Sequence, residues 1–364
     1  VIIDLPSTTT SQVNAKLVQL RDQGGATTLG RVLTLVIVTD DGARTEDAID
    51  AANDASREHP CRVIVVARGA KKAAARLDAQ IRVGGDAGAS EVVVLRLYGA
   101  LADEGASCVI PLLLPDAPIV AWWPFEAPLR PADDPIGKLA QRRITDAAAD
   151  RNPIKALEVR QKHYAAGDTD LAWTRLTLWR AVLAAALDLP PHEKITAATV
   201  TGEADSPSTD LLAAWLATRL RIPVTRAKVD VQGIHSVELE RKSGTVELVR
   251  PDGKVGTLTQ PGQPSRRVAL QRREVRDCLT EEMRRLDPDE IYEATLHGLT
   301  KVTRARGQAR TRTVEEPAKH SSTPKPSAAE AQARAAKSKP TPKPAAATRK
   351  RPTKADKPTT KSAS

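Results

Sequence analysis

Two β-branched runs with a helical stretch between them constrain this chain more than any other feature. Residues 31–39 read RVLTLVIVT and residues 61–68 read CRVIVVAR, each a short, largely apolar run of the kind that forms a buried strand. Between them Asp40, Asp41 and Gly42 make a turn, and residues 45–58 place small apolar side chains at helical spacing. A strand, a helix and a strand joined so closely form a βαβ unit, whose right-handed crossover lays the two strands parallel in one sheet. The chain therefore opens as an α/β sandwich.

The rest of the sequence extends this plan. Residues 11–23 carry Val13, Leu17, Val18 and Leu20 close to helical spacing, with Gly24 and Gly25 as a stop signal. Residues 79–83 and 91–98 read as further strands in an antiparallel extension of the sheet. Residues 110–114 end a helix before Pro115, and 118–123 make another strand. Residues 153–164 and 170–187 are expected to be helices, the second with Leu171, Leu176, Trp179, Leu183 and Leu187 on one broad face. A strand at 194–202, a helix at 209–220, a strand at 223–229 and a meander follow. Asp252-Gly253 marks a two-residue hairpin turn, and helices at 274–286 and 288–299 close the fold. The expected architecture is two α/β domains, 1–150 and 151–303, with mixed sheets flanked by helices, and a tail at 304–364.

That tail has its own composition. It holds 16 Lys or Arg, four acids and eight Pro, with no aromatic residue and Val314 as its sole branched aliphatic. Such a segment cannot bury a core and is expected to be disordered. Residues 1–303 keep 39 basic against 41 acidic residues, so the basic surplus of the chain belongs to the tail. A body with that balance is not read as a nucleic-acid binder, and weak non-specific contact with nucleic acid is expected through the tail alone.

Cys61, Cys108 and Cys278 are odd in number, far apart and without metal-type spacing, which points to reduced thiols. Residues 1–5 form a short apolar run with no basic leader, and no stretch is long and apolar enough to span a bilayer. A cytoplasmic protein without membrane contact is expected.

Catalytic signatures are missing. There is no G-x-S-x-G elbow, and His59, His163, His192, His235, His297 and His320 are scattered without ligand spacing. Gly84-Gly85-Asp86-Ala87-Gly88 matches neither phosphate-loop pattern and reads as a connecting loop, and Asp133 and Asp134 between prolines read as a solvated loop. The Asp40 turn does lie at the carboxyl end of a parallel strand, where α/β sheets often place ligands. That keeps an enzyme acting on a sugar phosphate or nucleotide as the alternative to a protein with no catalytic residue, no metal and no cofactor.

Aromatic residues are few, so their clustering is informative. Trp122, Trp123, Pro124 and Phe125 are consecutive, and neighbouring strand residues point to opposite faces of a sheet. One tryptophan packs inward, and the other is covered by a helix, a domain or a partner. The following prolines, Pro128, Pro131 and Pro135, stiffen the segment. Further on, Arg142, Arg143, Arg175 and Arg180 sit near Asp146, Asp170, Trp173 and Trp179, a set that suits ion pairs between domains as well as anionic ligands. The candidate partner-binding residues are Trp122, Trp123, Pro124, Phe125, Arg142, Arg143, Asp146, Trp173, Arg175 and Arg180.

Read in order, the blocks DLPSTTTSQVNAKL, GRVLTLVI, HPCRVIVV, AWWP, RRITDA, DLAWTRLTLWR and DLLAAWLATRL resemble the OpcA family of glucose-6-phosphate dehydrogenase assembly proteins over roughly residues 2–300. The resemblance implies a non-catalytic partner that assembles with glucose-6-phosphate dehydrogenase and activates it allosterically in the oxidative pentose phosphate pathway. Leu178 stands where the family often has Pro, so the helix over 170–187 is expected to run unbroken. The thioredoxin control linked to the family in photosynthetic bacteria is not expected here, since nothing ties Cys61, Cys108 or Cys278 to it. The basic tail lies outside the resemblance.

Overall fold

The computed structural model of the protein describes residues 1–24, 31–84 and 91–308. Most of the glycine-rich stretch at 84–88 and the tail beyond Gln308 thus lie outside the described residues. The described residues form one compact unit.

The first half builds an eight-stranded sheet. Its elements are β1 (Ile2–Leu5), α1 (Thr10–Gly24), β2 (Leu33–Asp40), α2 (Ala43–Ser56), β3 (Cys61–Arg68), β4 (Arg76–Val83), β5 (Glu91–Tyr98), α3 (Gly105–Val109), β6 (Ile119–Trp122), β7 (Arg142–Thr145), α4 (Pro153–Lys162) and β8 (Asp168–Asp170). The strand order is β1-β4-β5-β3-β2-β6-β7-β8. From β5 through β8 every pairing is parallel, and β4 and β1 add an antiparallel edge. Leu33 pairs with Cys61 and the register holds to Asp40 opposite Arg68, the parallel unit expected from the two apolar runs. The chain moves outward from β2 through β3 to β5 and then returns to β6 on the other side of β2. This order, that of doubly wound dinucleotide-binding sheets, creates a switch point between β2 and β6.

Alternation along each strand feeds two cores. Leu33, Leu35, Ile37, Val120 and Trp122 face α2, while Val36, Val38, Ala121 and Trp123 face α1 and α3. Each large aliphatic side chain so buried contributes about 1.5–3 kcal/mol.

The second half contributes α5 (Leu171–Thr174), α6 (Thr177–Leu187), β9 (Ala197–Gly202), α7 (Pro207–Leu220), β10 (Val224–Lys228), β11 (Ile234–Glu240), β12 (Val246–Val249), β13 (Val255–Thr259), β14 (Arg266–Ala269), α8 (Val275–Arg284), α9 (Glu290–Gly298) and β15 (Val302–Gln308). Its seven-stranded sheet runs β14-β13-β12-β11-β9-β10-β15, with β9, β10 and β15 parallel and the remainder antiparallel. A third core joins α5, α6, α7 and α9 to one face of this sheet through Trp173, Trp179, Leu211 and Leu296. The protein is thus α/β with two mixed sheets flanked by helices. Helix α8 crosses over: its Cys278, Leu279 and Met283 complete the core on the α2 side of the first sheet.

Four expectations need correction. The helix over 170–187 is two helices, because the chain tightens at Leu176, whose amide donates to Trp173 O at 2.9 Å. The Asp252-Gly253 turn spans the five residues between β12 and β13. Only Gly253 has positive φ, at 71°, and Asp252 Oδ1 holds the turn by accepting from the Lys254 and Val255 amides, both at 2.9 Å. The first sheet does not end at residue 150, since β8 lies beyond it. Residues 304–308, assigned to the tail, belong to β15, and Arg304 pairs with the buried Asp210 at 2.6 Å.

Candidate functional site

Strand β7 carries Arg142 and Arg143, Asp146 follows it, Arg175 ends α5 and Arg180 lies in α6, and together with β8 and α8 they form a charged seam. Arg143 Nε donates to Asp168 at 2.5 Å, and its terminal nitrogens donate to the carbonyls of Ala140, at 3.0 Å, and Ala166. Gly167 turns beneath this guanidinium with φ of 93°, and a Cβ there would come within 2.5 Å of Gln141 O, so only glycine fits. Arg142 reaches the other way, to Glu282 of α8 and to Asp287 O at 2.8 Å. Glu282 also accepts from Thr174 at 2.5 Å, which ties α5 to α8.

Asp146 takes Arg175 in a two-pronged pair at 2.7 and 2.6 Å. Asp170 is fully enclosed. It accepts from Thr145 Oγ1 at 2.6 Å and from the amides of Ala147 and Ala172, each at 2.9 Å. Burial, and then the charge of Asp146, hold its carboxyl above the usual range. Trp173 donates to Asp289 at 2.8 Å and lies against Tyr292, with Arg180 stacked 3.8 Å over its ring. Arg142, Arg143, Asp146, Trp173, Arg175 and Arg180 are therefore brought together, with partners inside this chain.

The tryptophan pair is divided. Trp122 and Trp123 are each 1 % exposed, one in each core of the first sheet, so neither ring presents a surface. The partner-facing role expected for one of them has no exposed ring to carry it, because α1 and α3 cover Trp123 while α2 and α8 cover Trp122. Pro124 is buried as well, and Phe125 is half-buried beneath Arg44, whose guanidinium lies 3.5 Å from the ring centroid. Beyond it, Leu129 is 58 % exposed.

That stack stands in the crevice at the switch point, which Asp40, Asp41, Arg68 and Arg151 also line. Asp41 accepts from Tyr98 Oη at 2.8 Å, a bond that raises the phenol above its usual range, and pairs with Arg96 at 3.3 Å. In a dinucleotide site the start of the helix after the first strand receives a pyrophosphate. Here the corresponding turn brings two carboxylates, Asp40 and Asp41, to the start of α2, facing Arg44, Arg68 and Arg151 across the crevice. Asp134 contacts Arg68 at 3.8 Å and caps the Ile136 amide, while Asp133 pairs with Arg130.

Sequence reading missed two buried charge clusters. Glu91 joins Arg62, Arg31 and Arg21, and Asp210 joins Arg226 and Arg304. The available signal was a charge inside an otherwise apolar strand, as with Arg62 in CRVIVVAR and Glu91 in EVVVLRLY.

The three cysteines are buried and form no disulfide. Burial pushes the Cys278 thiol up to about 12, and Cys108 is raised for the same reason. Cys278 should therefore hold about a thousandfold less thiolate than an ordinary cysteine at pH 8. Ellman's reagent is expected to leave Cys278 unmodified in the native protein and to titrate three thiols after denaturation; rapid native reaction at Cys278 would contradict this burial.

Fold and seam together define a two-sheet α/β protein whose charged motif residues tie β7, β8 and α5 to one another and to α8. Residues 52–162 match the family model described as glucose-6-phosphate dehydrogenase subunit N-terminal domain, and residues 166–296 match that described as its C-terminal domain. Jointly these cover well over half of the sequence, and the chain belongs to the OpcA family of glucose-6-phosphate dehydrogenase assembly proteins.

No curated protein matches the chain. Among solved structures it is similar to glucose-6-phosphate 1-dehydrogenase from Mycobacterium avium, at 11 % identity and a TM-score of 0.38, over 75 % of this chain and 94 % of that one. Biliverdin reductase from Synechocystis gives 10 % identity and a TM-score of 0.35, over 74 % of this chain and 96 % of that one. Both likenesses are too shallow to bear on function. Among the described residues no helix is long and apolar enough to cross a membrane.

Proposed function

We propose that this chain is a non-catalytic assembly factor and allosteric activator of glucose-6-phosphate dehydrogenase, acting in the cytoplasm in the oxidative pentose phosphate pathway. The match of both halves to the dehydrogenase-subunit family carries this reading. The switch-point turn supports the non-catalytic part, since Asp40-Asp41-Gly42 stands where a dinucleotide site has a glycine-rich phosphate loop. The use of Arg142, Arg143, Asp146 and Arg175 in internal pairs supports it too.

Activation requires that the chain bind the substrate-competent state of the enzyme more tightly than the resting state. The coupling is reciprocal. If the partner raises the affinity for glucose 6-phosphate about tenfold, about 1.4 kcal/mol, the sugar phosphate must tighten the complex by the same factor. The test is co-purification with the cognate dehydrogenase, read by mass, together with its activity against glucose 6-phosphate concentration. Failure to bind, or binding with no change in substrate dependence, would refute the proposal.

The tail enters through truncation. Removing residues 309–364 is expected to leave the activation curve unchanged. Removing residues 303–364 strips most of β15 and takes Arg304 from Asp210, so it should lower the melting temperature. Lost activation in a well-folded 1–308 chain would place the tail in the productive contact.

A further inference from the structure

A cavity of about 230 Å³, open at its mouth, lies between the first turn of α7 and the segments that carry Arg250 and Arg272. That is somewhat below the about 300–1,000 Å³ of drug-sized sites and suits a small polar ligand. Trp179 and Arg250 form part of its wall, and Ser206, Pro207 and Ser208 bring the first turn of α7 to it. Arg272 and Arg273 stand beside them, with Arg175. None of this belongs to the switch-point crevice.

Arg250 is the unusual member. It is 5 % exposed, yet no carboxylate among the described residues lies within ion-pair distance. Its terminal nitrogens donate to the carbonyls of Leu270, at 3.1 Å, and Ile234, at 3.0 Å, and its Nε has no partner. Trp179 lies 5.0 Å from the guanidinium. By contrast the buried Arg62, Arg142, Arg143 and Arg226 each hold a carboxylate. Burial and the neighbouring Arg272 lower the Arg250 pKa to about 10, so it keeps its charge at neutral pH. A guanidinium enclosed without an acid is costly, and an anion in the cavity would offset that cost.

The start of α7 supplies a second cationic feature. This 14-residue helix turns its N-terminus toward the cavity, with Ser206 capping Thr209 and with Pro207 lacking an amide hydrogen. The positive end of the helix dipole favours a phosphate there. Arg175 and Arg273 are already engaged by Asp146 and Glu281, whereas Arg272 is exposed at the rim.

Two acids refine the chemistry. Glu203 and Asp205 also line the cavity, and Glu203 accepts from the Gly233 amide at 2.8 Å. Carboxylates disfavour a bare inorganic anion and readily accept hydrogen bonds from hydroxyls. We propose that the cavity binds a sugar phosphate, its phosphoryl group on Arg250, Arg272 and the start of α7, and its hydroxyls on Glu203 and Asp205. This site is independent of whether the chain contacts the dehydrogenase.

The test uses the full chain at low ionic strength, with glucose 6-phosphate, inorganic phosphate and glucose as probes in calorimetry and thermal melts. Glucose 6-phosphate is expected to bind and to raise the melting temperature, phosphate to bind at least about tenfold more weakly, and glucose not to bind. Arg250→Met should abolish the response, and its fold is not at risk from a stranded acid because Arg250 holds none. Arg272→Gln, at the exposed rim, should weaken binding about tenfold with the fold intact. Anion binding to the basic tail would persist in both variants and be identified by that. The proposal is overturned if glucose 6-phosphate does not bind, if phosphate binds equally well, or if Arg272→Gln and Arg250→Met respond as the unaltered protein does.

Discussion

Asp146→Ala is expected to destabilise the protein by about 3 kcal/mol, because it strands the largely buried guanidinium of Arg175 without its two-pronged acceptor. Against a typical total of about 5–15 kcal/mol, that is enough to place the variant near its unfolding threshold. The substitution also removes the cap on the Ala148 amide, whereas losing the like charge beside Asp170 offsets a part of the cost. Removing both partners, as Asp146→Ala with Arg175→Met, should recover a large part of the loss, since no buried charge is then left alone. Urea denaturation of the two single variants and the double variant measures this. A cost of about 1 kcal/mol or less for Asp146→Ala would place the pair in water, as surface ion pairs are.

Trp122→Ala and Trp123→Ala should each cost about 3–5 kcal/mol of stability, through separate cavities on opposite faces of the first sheet. Neither indole nitrogen has a hydrogen-bond partner, so Phe at either position should be tolerated far better than Ala. Phe125→Ala tests the exposed end of the same segment. It should change the melting temperature little, and if Phe125 is a contact it should weaken the dehydrogenase complex by about 2 kcal/mol or more. Melting and binding measured on the same variants separate the two roles. A Trp122 or Trp123 variant that melts normally yet binds poorly would return the pair to the interface.

What the sequence made legible follows from where apolar side chains had to go. β2, β3 and β5 are buried on both faces and so appear as continuous apolar runs, and β4 as an alternating one. β7 reads RRIT and β8 reads DTD, and no hydrophobic pattern marks them, because their burial rests on ion pairs made to residues far along the chain. β15 reads VTRARGQ and looks like the start of the basic tail until Asp210 is found beneath it. The break at Leu176 was hidden because Leu171, Leu176, Trp179, Leu183 and Leu187 keep helical spacing across it.

The candidate residues divided on similar grounds. Period-two geometry fixed that Trp122 and Trp123 point apart, but it could not say what lies over each face. Arg142, Arg143, Asp146 and Arg175 were visible as a charged group, whereas their partners Glu282 and Asp168 lay outside the quoted motifs. Arg250 could not be singled out, since a lone Arg ahead of a Pro-Asp-Gly turn carries no sign that its surroundings lack an acid.

The position of α8 bears on how the molecule is made. The face of the first sheet over α2 is finished by Cys278, Leu279 and Met283, which emerge from the ribosome more than a hundred residues after β8. Until then the nascent chain carries an open apolar groove beside Trp122, and the N-terminal half cannot complete its folding before α8 has emerged. A ribosome paused between the halves would display a surface for holding chaperones, and an N-terminal fragment ending before α8 would need the remainder supplied in trans to become compact.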